Sequence, residues 1–192
     1  MNIVITLPRI LIDRIISGKK SVEVRSKVPT NFNLKTDVVY VAEKGTSKVP
    51  LMFSIKEFIS FEDKTEAINY IINDAAVSMQ FLKNYAKDKK TMCIWVLGRV
   101  CLLSESRHMA TWLGIKKNPQ SFIYNKIDES GFLISRAFWA NRVSTLDYHS
   151  VYMPDMHYKA IKQWLFDDSA LDFSTWCCIK DVPENVRGKA VQ

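Results

Sequence analysis

The chain has 192 residues, 47% of them hydrophobic and 24% charged, and its formal net charge is +7. This length provides one good-sized core, or one domain with an appendage, and the composition excludes a wholly disordered chain. No run of about eighteen apolar residues occurs, so we expect no transmembrane helix. The excess of Lys and Arg over Asp and Glu, 27 against 20, favours polyanionic partners, above all nucleic acid, although a mildly basic surface can also serve solubility alone.

The N-terminal segment and the cysteines indicate the compartment. The first residues lack the basic region and the small-residue cleavage site of a secretion signal, so we interpret them as a first strand. The four cysteines have neither the spacing of zinc ligands nor a usual disulfide framework, and the histidines form no metal-binding pattern. We therefore expect a reduced, cytoplasmic protein that needs no metal and no cofactor. The cysteines are Cys93, Cys101, Cys177 and Cys178.

The first part of the chain alternates between strand and helix patterns. The predicted elements up to residue 25 are a strand over 3–7, a helix over 8–17 that ends before a glycine, and a strand over 21–25. In the second strand, Val22 and Val24 share one face. Glu23 and Arg25 share the other, so the two charged side chains should point together away from the valines.

Short strands dominate the middle of the chain. The elements predicted there are strands over 38–41 and 51–61, helices over 63–72 and 79–86, and a long apolar strand over 93–103. Glu57 interrupts the second strand and indicates a bulge or an edge. Many short strands with few helices between them predict a small closed or half-closed barrel. After the predicted barrel, the sequence predicts a strand or hairpin around 132–139, a helix over 156–166 and a polar tail from about 183.

The pattern G-x-K-x-x-E-x-R, formed by Gly18, Lys20, Glu23 and Arg25, carries most of the functional information. Lys20 and Arg25 can hold a phosphate, the lysine as a point charge and the arginine as a bidentate fork. Glu23 can accept a hydrogen bond from a base amino group, or act as a general base with Lys20 as general acid. The alternative is a structural salt bridge, in which Glu23 pairs with either cation and closes one end of the barrel.

Three further side chains are weaker candidates for contact with a ligand. Tyr40 can stack on a base or donate its hydroxyl, although a tyrosine in a strand is more often part of the core. Ser121 either lines the cleft or caps a turn. Lys44 either contacts backbone phosphate or is simply solvated in its turn.

The order of these features resembles the ASCH family, part of the PUA-like superfamily of small β-barrels. The resemblance is carried by the motif Gly18–Arg25 after its helix, by the strand 38–42 and by the later segment Pro119-Gln120-Ser121-Phe122, and it covers roughly residues 1–125. It implies a barrel with flanking helices and a cleft lined by the motif.

ASCH proteins bind RNA or modified nucleosides. Some hydrolyse single-stranded RNA, and small relatives deacetylate N4-acetylcytidine with a lysine, a threonine and a distant glutamate. In this chain Glu23 stands three residues after Lys20, where those deacetylases have threonine.

We therefore predict an α+β fold, with a small PUA-like (ASCH) β-barrel and flanking helices over 1–125 and a C-terminal extension over 126–192 packed on it. The predicted function is binding of RNA or a modified nucleotide in a cleft built by the motif. One alternative is a metal-independent hydrolase, either a ribonuclease or a nucleoside amidohydrolase, with Lys20 and Glu23 as catalytic residues. Another is a module that binds a protein partner, or a second copy of itself, through the aromatic C-terminal segment.

Overall fold

The computed structural model describes most of the chain. The described residues are 1–125, 137–140, 148–149, 163–167, 169, 171, 173–180 and 189–190. Several predictions lie outside them, namely the strand at 132–134, the first part of the helix over 156–166 and most of the polar tail.

Strands make up most of the regular structure. In chain order they are β1 (Asn2–Leu7), β2 (Val22–Arg25), β3 (Val39–Glu43), β4 (Lys48–Phe61), β5 (Met92–His108), β6 (Phe122–Asn125), β7 (Ala137–Ala140), β8 (Tyr148–His149) and β9 (Lys189–Ala190). The helices are α1 (Arg9–Ile16), α2 (Lys64–Ile71), α3 (Met79–Ala86), α4 (Met109–Leu113) and α5 (Phe173–Ile179), with a further helical turn at 163–165. The first three helices were predicted from the sequence, whereas α4 and α5 were not.

Local side-chain chemistry sets the helix ends. Pro8 precedes α1, where its missing N–H costs nothing, and Gly18 follows that helix with a φ of 73° that suits glycine. The Asp63 carboxylate accepts hydrogen bonds from two amides in the first turn of α2. The Ser78 hydroxyl accepts one in the same way at the start of α3. These caps satisfy amide groups that would otherwise have no partner within the helix.

Strands β1 to β7 form one mixed sheet, which confirms the predicted α+β class. The strands follow the order β2-β5-β4-β3-β1-β6, and β7 pairs with β5 beside this path. The pair β1–β3 is parallel and the other pairs are antiparallel. The register between the two longest strands, β4 and β5, shifts between Ile55 and Glu57, so the irregularity predicted at Glu57 is confirmed. Strands β8 and β9 pair separately.

The two edge strands of this path, β2 and β6, are joined by side chains. Arg25 at the end of β2 donates a hydrogen bond from Nη1 to the carbonyl oxygen of Ser121, 3.0 Å away. The Asn31 amide, in the loop after β2, donates to the hydroxyl of Tyr124 on β6 at 3.1 Å. The strand pairs found among the described residues include no β2–β6 ladder. Closure of the sheet into a barrel therefore stays a prediction.

The sheet is buried on both of its faces. The inner cluster, on the side of α1, includes Ile3, Ile5, Ile12, Phe53 and Trp95. The outer cluster, on the opposite face, includes Val4, Tyr40, Met52, Cys101 and Trp164. A third cluster, under α2 and α3, includes Val22, Ile68, Ile71, Leu82 and Ile94. Because consecutive residues of β1 enter different clusters, its sequence is apolar on both faces rather than alternating.

The described part of the C-terminal segment packs on the outer cluster. Trp164 and Trp176 are only 5% and 3% exposed there. The guanidinium of Arg99 on β5 stacks 4.0 Å from the centre of the Trp164 ring and donates to the Trp164 carbonyl oxygen. The Ser54 hydroxyl on β4 donates to the carbonyl oxygen of Leu165 at 3.1 Å and accepts from the Arg99 amide at 3.1 Å. Both long strands therefore hold this segment.

Gly98 lies where β5 passes closest to Ser54, and we predict that a side chain there is not tolerated. A Cβ atom at this position would stand 2.3 Å from Ser54 Oγ, which its two hydrogen bonds hold in place. Gly98→Ala should lower the free energy of unfolding by about 1–3 kcal/mol, measured by urea denaturation. The cost should shrink in a Ser54→Ala background, because the clashing oxygen is gone. The same cost in both backgrounds would contradict the clash.

Candidate functional site

The charged motif follows α1 and forms the edge strand β2. Strand β2 pairs with β5 so that Glu23 lies opposite Trp95 and Arg25 lies opposite Cys93. Val22 and Val24 pack into the third cluster under α2 and α3. Glu23 and Arg25 therefore project from the other face, beside the inner cluster, as the sequence predicted.

Lys20 is buried and all three of its side-chain donors are engaged. Its Nζ lies 2.7 Å from the carbonyl oxygen of Val22, 3.0 Å from that of Ala75 and 3.1 Å from Glu23 Oε2. The side chain is 2% exposed. An ammonium group has three hydrogens to donate, so Lys20 has none left for a ligand. Its geometry is that of a residue that positions Glu23 and ties β2 to the α2–α3 connection.

Arg25 completes the ion-pair cluster and keeps one amino group without a partner. Its Nε lies 3.0 Å from Glu23 Oε1, and its Nη1 donates to the Ser121 carbonyl oxygen. Its Nη2 is buried and has no hydrogen-bond partner among the described residues. Burying such a donor unpaired costs about 1–3 kcal/mol, so an acceptor atom from a ligand would be stabilised there. A guanidinium suits phosphate and carboxylate oxygens in particular.

Aromatic rings form a wall beside Arg25. The guanidinium lies 5.9 Å from the centre of the Trp95 ring. Trp95 contacts Phe58 and Phe122, with ring centres 5.6 Å and 5.7 Å away, and Phe122 contacts Tyr124 at 5.5 Å. Trp95 is fully buried, while the other three rings are half-buried. An aromatic surface beside an unpaired guanidinium donor can stack a planar base while the arginine binds its polar edge or phosphate.

Tyr85 of α3 also faces the cluster, although the sequence analysis did not single it out. Its hydroxyl lies close enough to the Arg25 and Glu23 charges and to the Ser26 side chain for all three to influence its pKa. Burial raises the pKa of Tyr85, and the Arg25 charge partly opposes this rise. The phenol therefore stays protonated at neutral pH and keeps a hydroxyl that can donate. The spacing of four residues between Phe81 and Tyr85 places both rings on one side of the predicted helix. No local pattern in the sequence indicates that α3 ends beside β2, so the position of Tyr85 near Arg25 could not be predicted.

The remaining predicted site residues lie in different places. Ser121 reaches the cluster through its carbonyl oxygen, which accepts from Arg25. Tyr40 is fully buried in the outer cluster, on the face of the sheet opposite to Glu23 and Arg25. Lys44 is exposed in the turn after β3. This turn borders the segment before β6, because the Ser47 hydroxyl hydrogen-bonds with Asn118 Oδ1 at 3.1 Å.

Two other features are absent from the described ranges, a cluster of metal-ligating side chains and a membrane-spanning helix. No group of three or more His, Cys, Asp or Glu side chains in them is placed to hold a metal ion. No helix in them is long and apolar enough to cross a membrane.

The fold is similar to that of a solved ASCH protein from Zymomonas mobilis. That structure aligns with a TM-score of 0.53 and 16% sequence identity, over 65% of this chain and 87% of that one. Two variants of the same protein, one with a serine changed to alanine and one with a tyrosine changed to phenylalanine, align with TM-scores of 0.55 and 0.54. This chain has the ASCH fold. The resemblance expected from the motif and from Pro119–Phe122 is therefore confirmed at the level of the fold. The sequence matches no protein-family model and no curated protein.

We predict that Lys20 is needed for the stability of the ASCH fold in this chain. Lys20→Met would leave Glu23 with one cation instead of two, and it would leave the carbonyl oxygens of Val22 and Ala75 without the donor they now have. The variant should lower the free energy of unfolding by about 3–5 kcal/mol. Lys19→Met is the matched control, because Lys19 is the exposed neighbour and should change stability by less than about 0.5 kcal/mol. Urea denaturation of both variants measures the difference. Equal, small effects would show that the Lys20 contacts carry little stability.

Proposed function

We propose that this protein is associated with nucleic acid and binds RNA or a modified nucleotide at the Lys20–Glu23–Arg25 cluster. The observation that carries the proposal is the buried Nη2 of Arg25, which has no partner among the described residues and lies beside the aromatic wall. A nucleotide offers the two complementary features, a planar base and negatively charged or carbonyl oxygens. A net charge of +7 would favour its approach.

The three motif residues have different tasks in this proposal. Arg25 is the residue that contacts the ligand, because it keeps an unused donor. Glu23 holds the guanidinium at Nε and so directs Nη2, while Lys20 holds Glu23. The ASCH fold supports RNA as the ligand class by analogy, because the motif resembles that of RNA-associated ASCH proteins.

Binding is favoured over hydrolysis because Glu23 and Lys20, the two residues that catalysis would use, already have partners for their charged groups. Each carboxylate oxygen of Glu23 already faces a cation, and each ammonium hydrogen of Lys20 faces an acceptor. Groups that are saturated in this way hold charge in place, whereas a general acid or base must reach the proton it transfers. The partner-binding alternative is less favoured because Trp164 and Trp176 are buried against the sheet.

We predict that Arg25→Lys weakens binding of single-stranded RNA by about tenfold, because the lysine keeps the charge but loses the planar fork. Fluorescence anisotropy with labelled RNA at two salt concentrations measures the affinity, and thermal unfolding checks that the variant is folded. Arg9→Lys is the matched control, since Arg9 is an exposed arginine on α1. Its affinity should equal that of the parent.

Two results would contradict the proposal. One is a parent protein that binds neither single-stranded RNA nor a mononucleotide. The other is an Arg25→Lys variant whose affinity equals that of the parent and of Arg9→Lys. Turnover of the RNA that is lost in Glu23→Gln would instead support the hydrolase.

A further inference from the structure

The helix α3 and its C-terminal end carry a row of aromatic and basic side chains, called here the α3 strip, in which Phe81 is exposed and Tyr85 and Lys89 are half-buried. The rings of Phe81 and Tyr85 are nearly parallel, with 13° between their planes and 6.4 Å between their centres. The Lys89 Nζ lies 5.8 Å from the centre of the Tyr85 ring. The three residues follow one another at intervals of four, so they lie along one side of the helix and its C-terminal end.

The side chains of the strip are not the ones that pack α3 against the rest of the protein. Leu82 and Ala86 supply the buried side of α3, at 0% and 3% exposure, whereas Phe81 is 54% exposed. Single exposed aromatic residues are ordinary on protein surfaces. A near-parallel aromatic pair that is followed by a cation is more specific, because proteins that bind single strands combine aromatic rings for the bases with cations for the backbone.

Tyr85 connects the strip to the ligand cluster. Its ring belongs to the strip, while its hydroxyl end lies close to Arg25, Glu23 and the Ser26 side chain, all of which influence its pKa. The burial that raises the pKa of Tyr85 is consistent with this position at the margin of the cluster. A chain of nucleotides held at Arg25 would therefore meet the strip as it leaves the cluster.

The charge around the strip favours a polyanion. The segment 83–90 contains four lysines and one aspartate. These lysines are Lys83, Lys87, Lys89 and Lys90. A protein partner of ordinary composition would gain little from such an excess, whereas an RNA strand carries one negative charge per nucleotide.

We propose that the α3 strip is a stacking platform for the nucleotides next to the one held at Arg25, so that the ligand is single-stranded RNA of several nucleotides. This inference rests on the proposed function and specifies its ligand. In a duplex the faces of the bases are covered by their neighbours, and only a single strand offers them to the Phe81 and Tyr85 rings.

The test compares a long and a short ligand in matched variants. The probes are a labelled oligouridylate of about twelve nucleotides, within the range that one single-strand-binding domain covers, and uridine monophosphate as a competitor. Phe81→Ala should weaken binding of the oligouridylate by about tenfold and leave competition by the monophosphate unchanged. The control is Tyr70→Ala, because Tyr70 on α2 is also 54% exposed but lies outside the strip. It should keep the oligouridylate affinity within about twofold.

The possible outcomes separate this inference from the function on which it rests. If Arg25→Lys weakens binding but Phe81→Ala does not, or weakens it no more than Tyr70→Ala, the platform is overturned and the proposed function stands. A duplex RNA of equal length that binds as tightly as the single strand also overturns the platform. A parent protein that binds no RNA and no nucleotide overturns both.

Discussion

The buried ion pair between Lys20 and Glu23 is the constraint on which the rest of the site depends. Taking charged groups out of water costs several kcal/mol for each ion, and their mutual attraction offsets this only when the remaining donors and acceptors are satisfied. Lys20 meets that condition with two carbonyl oxygens and one carboxylate oxygen. Because Ala75 supplies one of these oxygens, the pair also fixes β2 against the α2–α3 connection. The short edge strand is thus held by charge as well as by its ladder with β5.

The same pair holds Arg25 in the position that the proposed ligand site requires. Glu23 lies between two cations and holds the Arg25 guanidinium at Nε. In this position Nη1 donates to the Ser121 carbonyl oxygen, and Nη2 has no hydrogen-bond partner among the described residues. A side chain that is held by its neighbours before binding loses less conformational entropy on binding than a free arginine would. The unpaired Nη2 thus lowers the stability of the free protein by about 1–3 kcal/mol, and a bound acceptor would recover that cost.

The sequence predicted the local features of the site and missed those that depend on distant elements. The alternation of Val22 and Val24 with Glu23 and Arg25 is a property of one strand, so the shared face of the two charges could be predicted. The partner of Lys20 at Ala75 is 55 residues away in the chain, and no local pattern indicates it. The face of the sheet on which Tyr40 lies could not be predicted for a related reason. Its strand is apolar on both faces, so alternation does not show which face meets the motif. Helix α4, with five residues, is too short to show helical periodicity.

The two covered faces of the sheet limit the directions from which the proposed ligand could reach Arg25. The described part of the C-terminal segment, with Trp164, covers the outer face around Tyr40, and α2 and α3 cover the face of Val22. The inner cluster packs around Trp95, which is fully buried. At the boundary between β2 and β6, half-buried rings that include Phe122 lie near the Arg25 Nη2, which has no hydrogen-bond partner among the described residues. Since Tyr85 lies close to Arg25 and Glu23, a nucleotide bound at Arg25 would lie between the edge strands, and its neighbours in an RNA chain would continue along α3.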